Sequence, residues 1–258
     1  MIFDSHCHLD PRNYGGDAGV DAVVETARAA GVTRMLNVGA GYGDGSAQRA
    51  LAVADRHEGI WVSVGLHPHD AKLFSESVHE TLLAMSEHSK VVAWGECGLD
   101  FFYDHSPRDQ QRLAFRRQIE TALRLGLPLI IHDRDSAGET LAILDEQGAF
   151  DGRVLYHCFA GDAEQMEALV QRGALISIPG VVTYKKAADM HEVVRRVPAG
   201  HYLVETDAPF LTPEPLRGRR NEPCHAALTV EAIARLRGST PADVARETWD
   251  NATAFFGL

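Results

Sequence analysis

Short runs rich in β-branched and aromatic residues alternate with stretches of helical apolar spacing along almost the whole chain. This alternation limits the fold more than any other feature, because successive β-α units bury their strands and helices together only around a parallel sheet. The strand-like runs cover residues 2–5, 34–38, 60–64, 91–95, 129–132, 154–157, 174–178 and 202–205. Eight such units make up a (β/α)8 TIM barrel. A chain of 258 residues, 45% of them hydrophobic, can build one large core, so a single domain over residues 1–258 is expected.

Between the strands, Val20, Val23, Val24 and Ala27 keep the i, i+3, i+4, i+7 spacing of one helical face, and Gly31 suits the helix stop. Phe115, Ile119, Ala122 and Leu123 repeat the pattern, and Met166, Leu169 and Val170 read as core packing. Ser106-Pro107 and Thr240-Pro241 are helix starts, since proline at the first helical position loses no needed hydrogen bond. Residues 210–223, rich in Pro and Arg, form a long loop after the last strand. His57, His79, His88 and His191 fall on helical stretches and are expected to be exposed.

No segment approaches the ~18 consecutive apolar residues of a membrane span, and no basic stretch precedes the first strand, so neither membrane insertion nor a secretory signal is expected. The four cysteines form no CxxC pair, which fits a reducing cytosol better than a zinc knuckle or a disulfide framework. A formal net charge of -11 repels polyanions, so any nucleic acid must be bound at a local site, and bound cations could supply it.

The chemistry-bearing residues fall where such a barrel keeps its active site. His6 and His8 end the first strand and, by alternation, point to the same side. Alone, the pair fits a helix cap or a surface pair equally well. However, Glu96, His132, His157 and Asp207 also fall at the C-terminal ends of predicted strands, the rim that carries catalysis in barrel enzymes. Ionisable groups converging there without partners would carry a large desolvation and repulsion cost, which divalent cations remove.

The segments Ser5-His6-Cys7-His8-Leu9-Asp10, Gly65-Leu66-His67-Pro68-His69, Gly95-Glu96-Cys97-Gly98-Leu99-Asp100, His132-Asp133-Arg134, His157-Cys158-Phe159-Ala160-Gly161, Glu205-Thr206-Asp207-Ala208-Pro209 and Asn221-Glu222-Pro223 span nearly the whole chain. In order and number they resemble the TatD family of metal-dependent hydrolases, within the wider amidohydrolase-like barrels. The resemblance implies that His6, His8, Glu96 and Asp207 hold one cation while Glu96, His132 and His157 hold a second, with Glu96 bridging. Many amidohydrolases bridge with a carbamylated lysine; here Lys72, Lys90, Lys185 and Lys186 are the only lysines and none ends a strand. Cys97 replaces a common aliphatic residue and Phe101-Phe102 a more tyrosine-like pair, and neither change removes a ligand. Cys7, Cys97 and Cys158 each follow a ligand by one position and are expected to be buried spacers.

Cations at this rim would acidify a bound water and polarise the electrophile. Asp207 is the candidate general base, the alternative being a ligand that carries no proton. Arg134 suits a phosphate oxygen and His67 a substrate contact, whereas His69 fits a surface position at least as well. Asp4 and Glu205, two positions before ligands, are expected to hydrogen-bond metal-bound histidines. Asn221 is expected to hold the closing loop. Arg217, Arg219 and Arg220 would guide a polynucleotide or simply be solvated loop charges. Four imidazoles and two carboxylates suit Zn²⁺, Mn²⁺, Fe²⁺ or Ni²⁺ more than oxygen-loving Mg²⁺, although the family's nucleases are often run with Mg²⁺. The resemblance implies hydrolysis of DNA phosphodiester bonds from a 3′ end, with D-aminoacyl-tRNA deacylation and small-molecule ester or amide hydrolysis as alternatives. A noncatalytic, metal-stabilised binding protein is the reading from outside enzymology.

Overall fold

A computed structural model describes residues 1–258. Eight strands, β1 (Ile2–Cys7), β2 (Val32–Gly39), β3 (Ile60–Val64), β4 (Val91–Asp100), β5 (Leu129–Arg134), β6 (Val154–Tyr156), β7 (Leu175–Ile178) and β8 (Tyr202–Val204), pair in parallel in sequence order. Helices fill every crossover, and two more, Ala226–Arg237 and Pro241–Phe256, follow β8. The fold is the expected TIM barrel. No helix is long and apolar enough to cross a membrane.

Strand alternation sorts the core into two clusters. Met35, Ile60, Val62, Ile131, Ile176 and Val204 pack outward with helix residues such as Val20, Phe115 and Met166. Phe3, Leu36, Ala93, Ile130, Leu155 and Leu203 pack together with Phe255 and Phe256 of the last helix. Burying a large side chain in this way stabilises by about 1.5–3 kcal/mol.

Two departures from regular strands shape the rim. The β1–β2 register slips between Asp4 and Cys7, and the β4–β5 register slips between Gly95 and Cys97. Glycine permits the second. A Cβ at Gly95 (φ +132°) would lie 2.5 Å from the Ile130 carbonyl oxygen, and one at Gly98 (φ +145°) 2.0 Å from that of His132. Strand β4 therefore hugs β5 on both sides of Glu96 and runs five residues beyond the expected end at 95. Barrel closure occurs at the same rim: the Asp207 N–H donates to the His6 carbonyl (2.9 Å) and the His8 N–H to that of Ala208 (2.7 Å). The hydrogen bonds that shut the barrel thus bring His6, His8 and Asp207 together.

Thr240 caps the last helix, accepting from the Asp243 N–H as expected. Ser106 does not cap. Its hydroxyl donates to the His69 carbonyl and accepts from the Lys72 N–H, although the helix Arg108–Leu125 begins where expected. His79 is buried rather than exposed, 3.0 Å from the Thr121 hydroxyl, because its helical face turns onto the barrel. His57 and His191 are partly buried, and His88 alone of that group is exposed.

Candidate metal centre

His6, His8, Glu96, His132, His157 and Asp207, drawn from five separate segments, meet at the C-terminal rim on the wall of a cavity of about 1400 Å³, with His6 buried just behind the lining. Glu96 is at the centre, its side chain 3% exposed. Its two oxygens face different groups. Oε2 lies 3.5 Å from His6 Nε2 and 3.8 Å from His8 Nε2, and Asp207 Oδ1 lies 3.8 and 3.5 Å from the same nitrogens. Oε1 lies 2.8 Å from both His132 Nδ1 and His157 Nε2 and 3.3 Å from His67 Nε2.

The first group passes a geometric test for a cation. Donors about 2.1 Å from a common tetrahedral centre stand about 3.4 Å apart. The His6 and His8 Nε2 atoms are 3.4 Å apart, and the four nitrogen–oxygen separations are 3.5–3.8 Å. These separations are too long for ordinary hydrogen bonds and suit donors around an ion; His6, His8 and Glu96 form one prospective ligand cluster, with Asp207 Oδ1 beside both imidazoles. In the second group His67, Glu96 and His132 also cluster as prospective donors, as do His6, His157 and Glu205. The buried His/Glu clusters are thus compatible with a binuclear centre.

Charges balance across Glu96. Burial opposes its ionisation, yet the imidazoles of His157, His67 and His132 hold its carboxyl well below the usual range. Burial would likewise depress His157, but Glu96 and Glu205 outweigh it and raise that imidazole well above its ordinary value. His132 is raised too, against burial, by Asp100 and Glu96. Burial lowers His67 to about 4, despite Glu96, so its ring is neutral at pH 7. For Asp207, burial is offset by His8, His157 and His6, which keep its carboxyl below the usual range.

Several supporting contacts differ from expectation. Glu205 Oε1 approaches His157 Nδ1 at 3.6 Å, and the Glu205 carboxylate accepts from the Ser177 hydroxyl. Asp4 touches no imidazole. It accepts from the Thr206 N–H (2.9 Å) and hydroxyl (2.6 Å) and from the His6 N–H (3.3 Å), because the slip in β1 breaks the alternation linking positions 4 and 6. Cys7 and Cys97 are buried, whereas Cys158, at φ +45°, turns partly onto the cavity wall. Arg134 and His67 line the cavity. None of Arg217, Arg219 and Arg220 does; Arg217 lies over Tyr184 and Arg220 over Tyr14. Asn221 is fully buried and donates to the Thr206 and Phe210 carbonyls, tying the closing loop to the strand that delivers Asp207.

Asp100 is the residue that sequence reasoning leaves unassigned. It is fully buried, with Oδ2 3.0 Å from His132 Nε2 and 2.8 Å from His69 Nε2, so His69 belongs to the site's surroundings rather than to open surface. The signal was a carboxylate four residues after Glu96 within a glycine-punctuated strand.

Comparison with known proteins agrees with this geometry. The TatD related DNase family model matches residues 3–257. The chain is 39% identical over 258 residues, 100% of both chains, to a Bacillus subtilis protein named uncharacterized metal-dependent hydrolase YabD. It is 37% identical over 261 residues to a Salmonella typhimurium protein named 3'-5' ssDNA/RNA exonuclease TatD, covering 99% of this chain and 98% of that one. The crystal structure of YJJV, a TatD homolog from Escherichia coli K12, superposes with a TM-score of 0.91 at 29% identity, covering 100% of this chain and 98% of that one. With buried His/Glu clusters compatible with cations at the barrel rim and near end-to-end kinship of this kind, the chain belongs to the TatD family of metal-dependent hydrolases.

Proposed function

We propose that this protein is a divalent-metal-dependent exonuclease that removes nucleotides from the 3′ end of single-stranded DNA or RNA, working as one domain over residues 1–258 in the cytosol. One observation carries the reading: a single buried carboxylate, Glu96, turns each oxygen to a separate set of imidazoles on the wall of a cavity larger than the ~300–1,000 Å³ of common small-molecule sites. The name of the Salmonella relative supports nucleic acid as the substrate, and the four free cysteines fit a reducing compartment.

In this reading His6, His8, Glu96 and Asp207 hold one cation, and Glu96, His132 and His157 the other. The donor set favours Zn²⁺, Mn²⁺, Fe²⁺ or Ni²⁺, with Mg²⁺ a weaker occupant. Bound divalent ions supply an acidified water and neutralise charge growing on the phosphoryl oxygens. The Asp207 carboxylate would take the water's proton: its side chain, 13% exposed, reaches the open cavity further than that of Glu96. Arg134 holds a phosphate oxygen from the cavity wall, and neutral His67 orients substrate or steadies Glu96.

The test is direct. Protein stripped by chelation and reloaded with each ion in turn is given 5′-labelled single strands of DNA and RNA. A ladder shortening from the 3′ end and dependent on the restored ion is expected. Strands left intact by every reloaded form, with D-aminoacyl-tRNA hydrolysed instead, would move the function to the ester.

A further inference from the structure

Every aromatic side chain that this protein exposes by more than a third stands at or beside the cavity mouth: Phe102 (55%), Tyr103 (48%) and Phe210 (51%). Single exposed rings are ordinary, but all of them at one opening mark a surface that meets a ligand. Phe102 and Tyr103 pack edge to face at 4.9 Å, and the Arg134 guanidinium lies 4.3 Å over the first ring and 4.9 Å over the second. Phe210 stands on the opposite side, 6.2 Å from His8.

The rings are held in register with the centre. Asp100 Oδ1 accepts from the backbone N–H groups of Phe102 (3.1 Å) and Tyr103 (2.8 Å), while its Oδ2 contacts His132 Nε2. One buried carboxylate therefore fixes both the loop and a prospective metal ligand. Arg108 braces the next turn, donating to the Asp104 carboxylate and the Phe101 carbonyl. Such pre-ordering spares a ligand the cost of immobilising the loop.

Charge explains why rings are needed. The molecule carries a net charge of -11, and Arg134 is the only arginine or lysine lining the cavity, with Asp133 and Asp135 beside it. Beyond the single Arg134 contact, phosphate contacts to the chain can therefore contribute little. An unpaired base, by contrast, gains from stacking on a ring or guanidinium plane whatever its identity.

We propose that Phe102 and Tyr103, overlaid by Arg134, form a stacking platform for unpaired bases next to the scissile bond, so that single-stranded ends are selected by base stacking rather than by phosphate charge. The proposal rests on the exonuclease reading for its substrate. Duplex bases already stack on one another and have no face to offer.

Binding of a short fluorescent single strand, its terminal linkages phosphorothioate, is compared with strands abasic at each of the last three positions in turn. For the wild-type protein, at least one abasic position should weaken binding between about fivefold and a hundredfold, and a blunt duplex should bind at least about tenfold more weakly. The F102A/Y103A variant, altered only at exposed rings, should show the same loss with the ordinary strand and be indifferent to that abasic position. Equal wild-type affinity for intact and abasic strands overturns the platform, and this arm stands even if the double variant folds poorly. Hydrolysis of ordinary and abasic strands at equal rates also overturns it while leaving the exonuclease reading intact. Base-dependent binding without hydrolysis of an ordinary strand sinks the exonuclease reading and leaves the platform standing.

Discussion

On the Oε2 side of Glu96, the nitrogens and oxygens of His6, His8 and Asp207 stand 3.4–3.8 Å apart, around a common point and not bonded closely to one another. On the Oε1 side, His132 and His157 close to 2.8 Å, and each has a second carboxylate behind it, Asp100 for the first and Glu205 for the second. The first half keeps its shape without satisfying its own polar atoms, so a cation would enter with little rearrangement. In the second half the Glu96-facing nitrogens of His132 and His157 are already hydrogen-bonded, while His157 Nδ1 and Glu205 Oε1 behind them lack close partners, and a cation would have to displace protons from those imidazoles to enter. We therefore expect unequal affinities, with the His6–His8–Asp207 half the tighter.

The most severe test removes what the halves share. The Glu96→Ala substitution should lower kcat/KM by about 10⁴-fold or more and eliminate both metal equivalents in elemental analysis. The melting temperature of the metal-free form should fall by several degrees, because the buried His132 and His157 lose the carboxylate 2.8 Å from each, while the apolar barrel layer of Phe3, Leu36 and Ile130 keeps the chain folded. Retention of one equivalent would show that the halves do not depend on a common carboxylate. Next in size is Asp207→Asn. The amide offers a weaker, neutral ligand oxygen and accepts no proton, so the His6–His8 cation should bind less tightly, and at saturating metal kcat should still fall by about 10²–10⁴-fold with KM nearly unchanged. Full turnover once metal is restored to saturation would make Asp207 a ligand with no proton to carry.

The two halves were not equally legible in the sequence. His6, His8 and Asp207 lie at ends of β1 and beyond β8, and the strand periods place them on one rim without knowledge of the closure bonds. The supports of the second half were obscured. An apolar run interrupted by Gly95 and Gly98 reads as a strand ending at 95, yet positive φ at both glycines carries β4 on to Asp100. Asp4 shows the reverse error: parity pairs it with His6, and a register slip sends it to Thr206 instead. His79 shows that helical spacing locates a face without saying what covers it. Period describes regular backbone, so its failures fall where this backbone is irregular, and the irregularities gather at the site.

Smaller effects should be confined to the weaker half. Asp100→Asn replaces one charged oxygen behind His132, and outer-shell changes of this kind cost about 10–100-fold in metal affinity. In a competitive chelator titration, only the equivalent released first should shift. An equal shift in both equivalents would mean that the halves act as one unit, and the contrast between them would fall.

The mildest change is Ser177→Ala. The Ser177 hydroxyl donates to Glu205, whose Oε1 has no hydrogen-bond partner of its own and points at His157 Nδ1 from 3.6 Å. The Ser177 hydroxyl also accepts from the Cys158 N–H (3.2 Å), so it holds both that carboxylate and the turn just after His157. Loss of these two hydrogen bonds should lower unfolding stability by about 1–3 kcal/mol, read by denaturant titration. It should weaken the first-released cation only a few-fold, since the negative charge of Glu205 stays in place. A loss as large as that of Asp100→Asn would mean that the Glu205 orientation, rather than its charge, sets the affinity of the second half, and would reverse the ranking of the two supports behind Oε1.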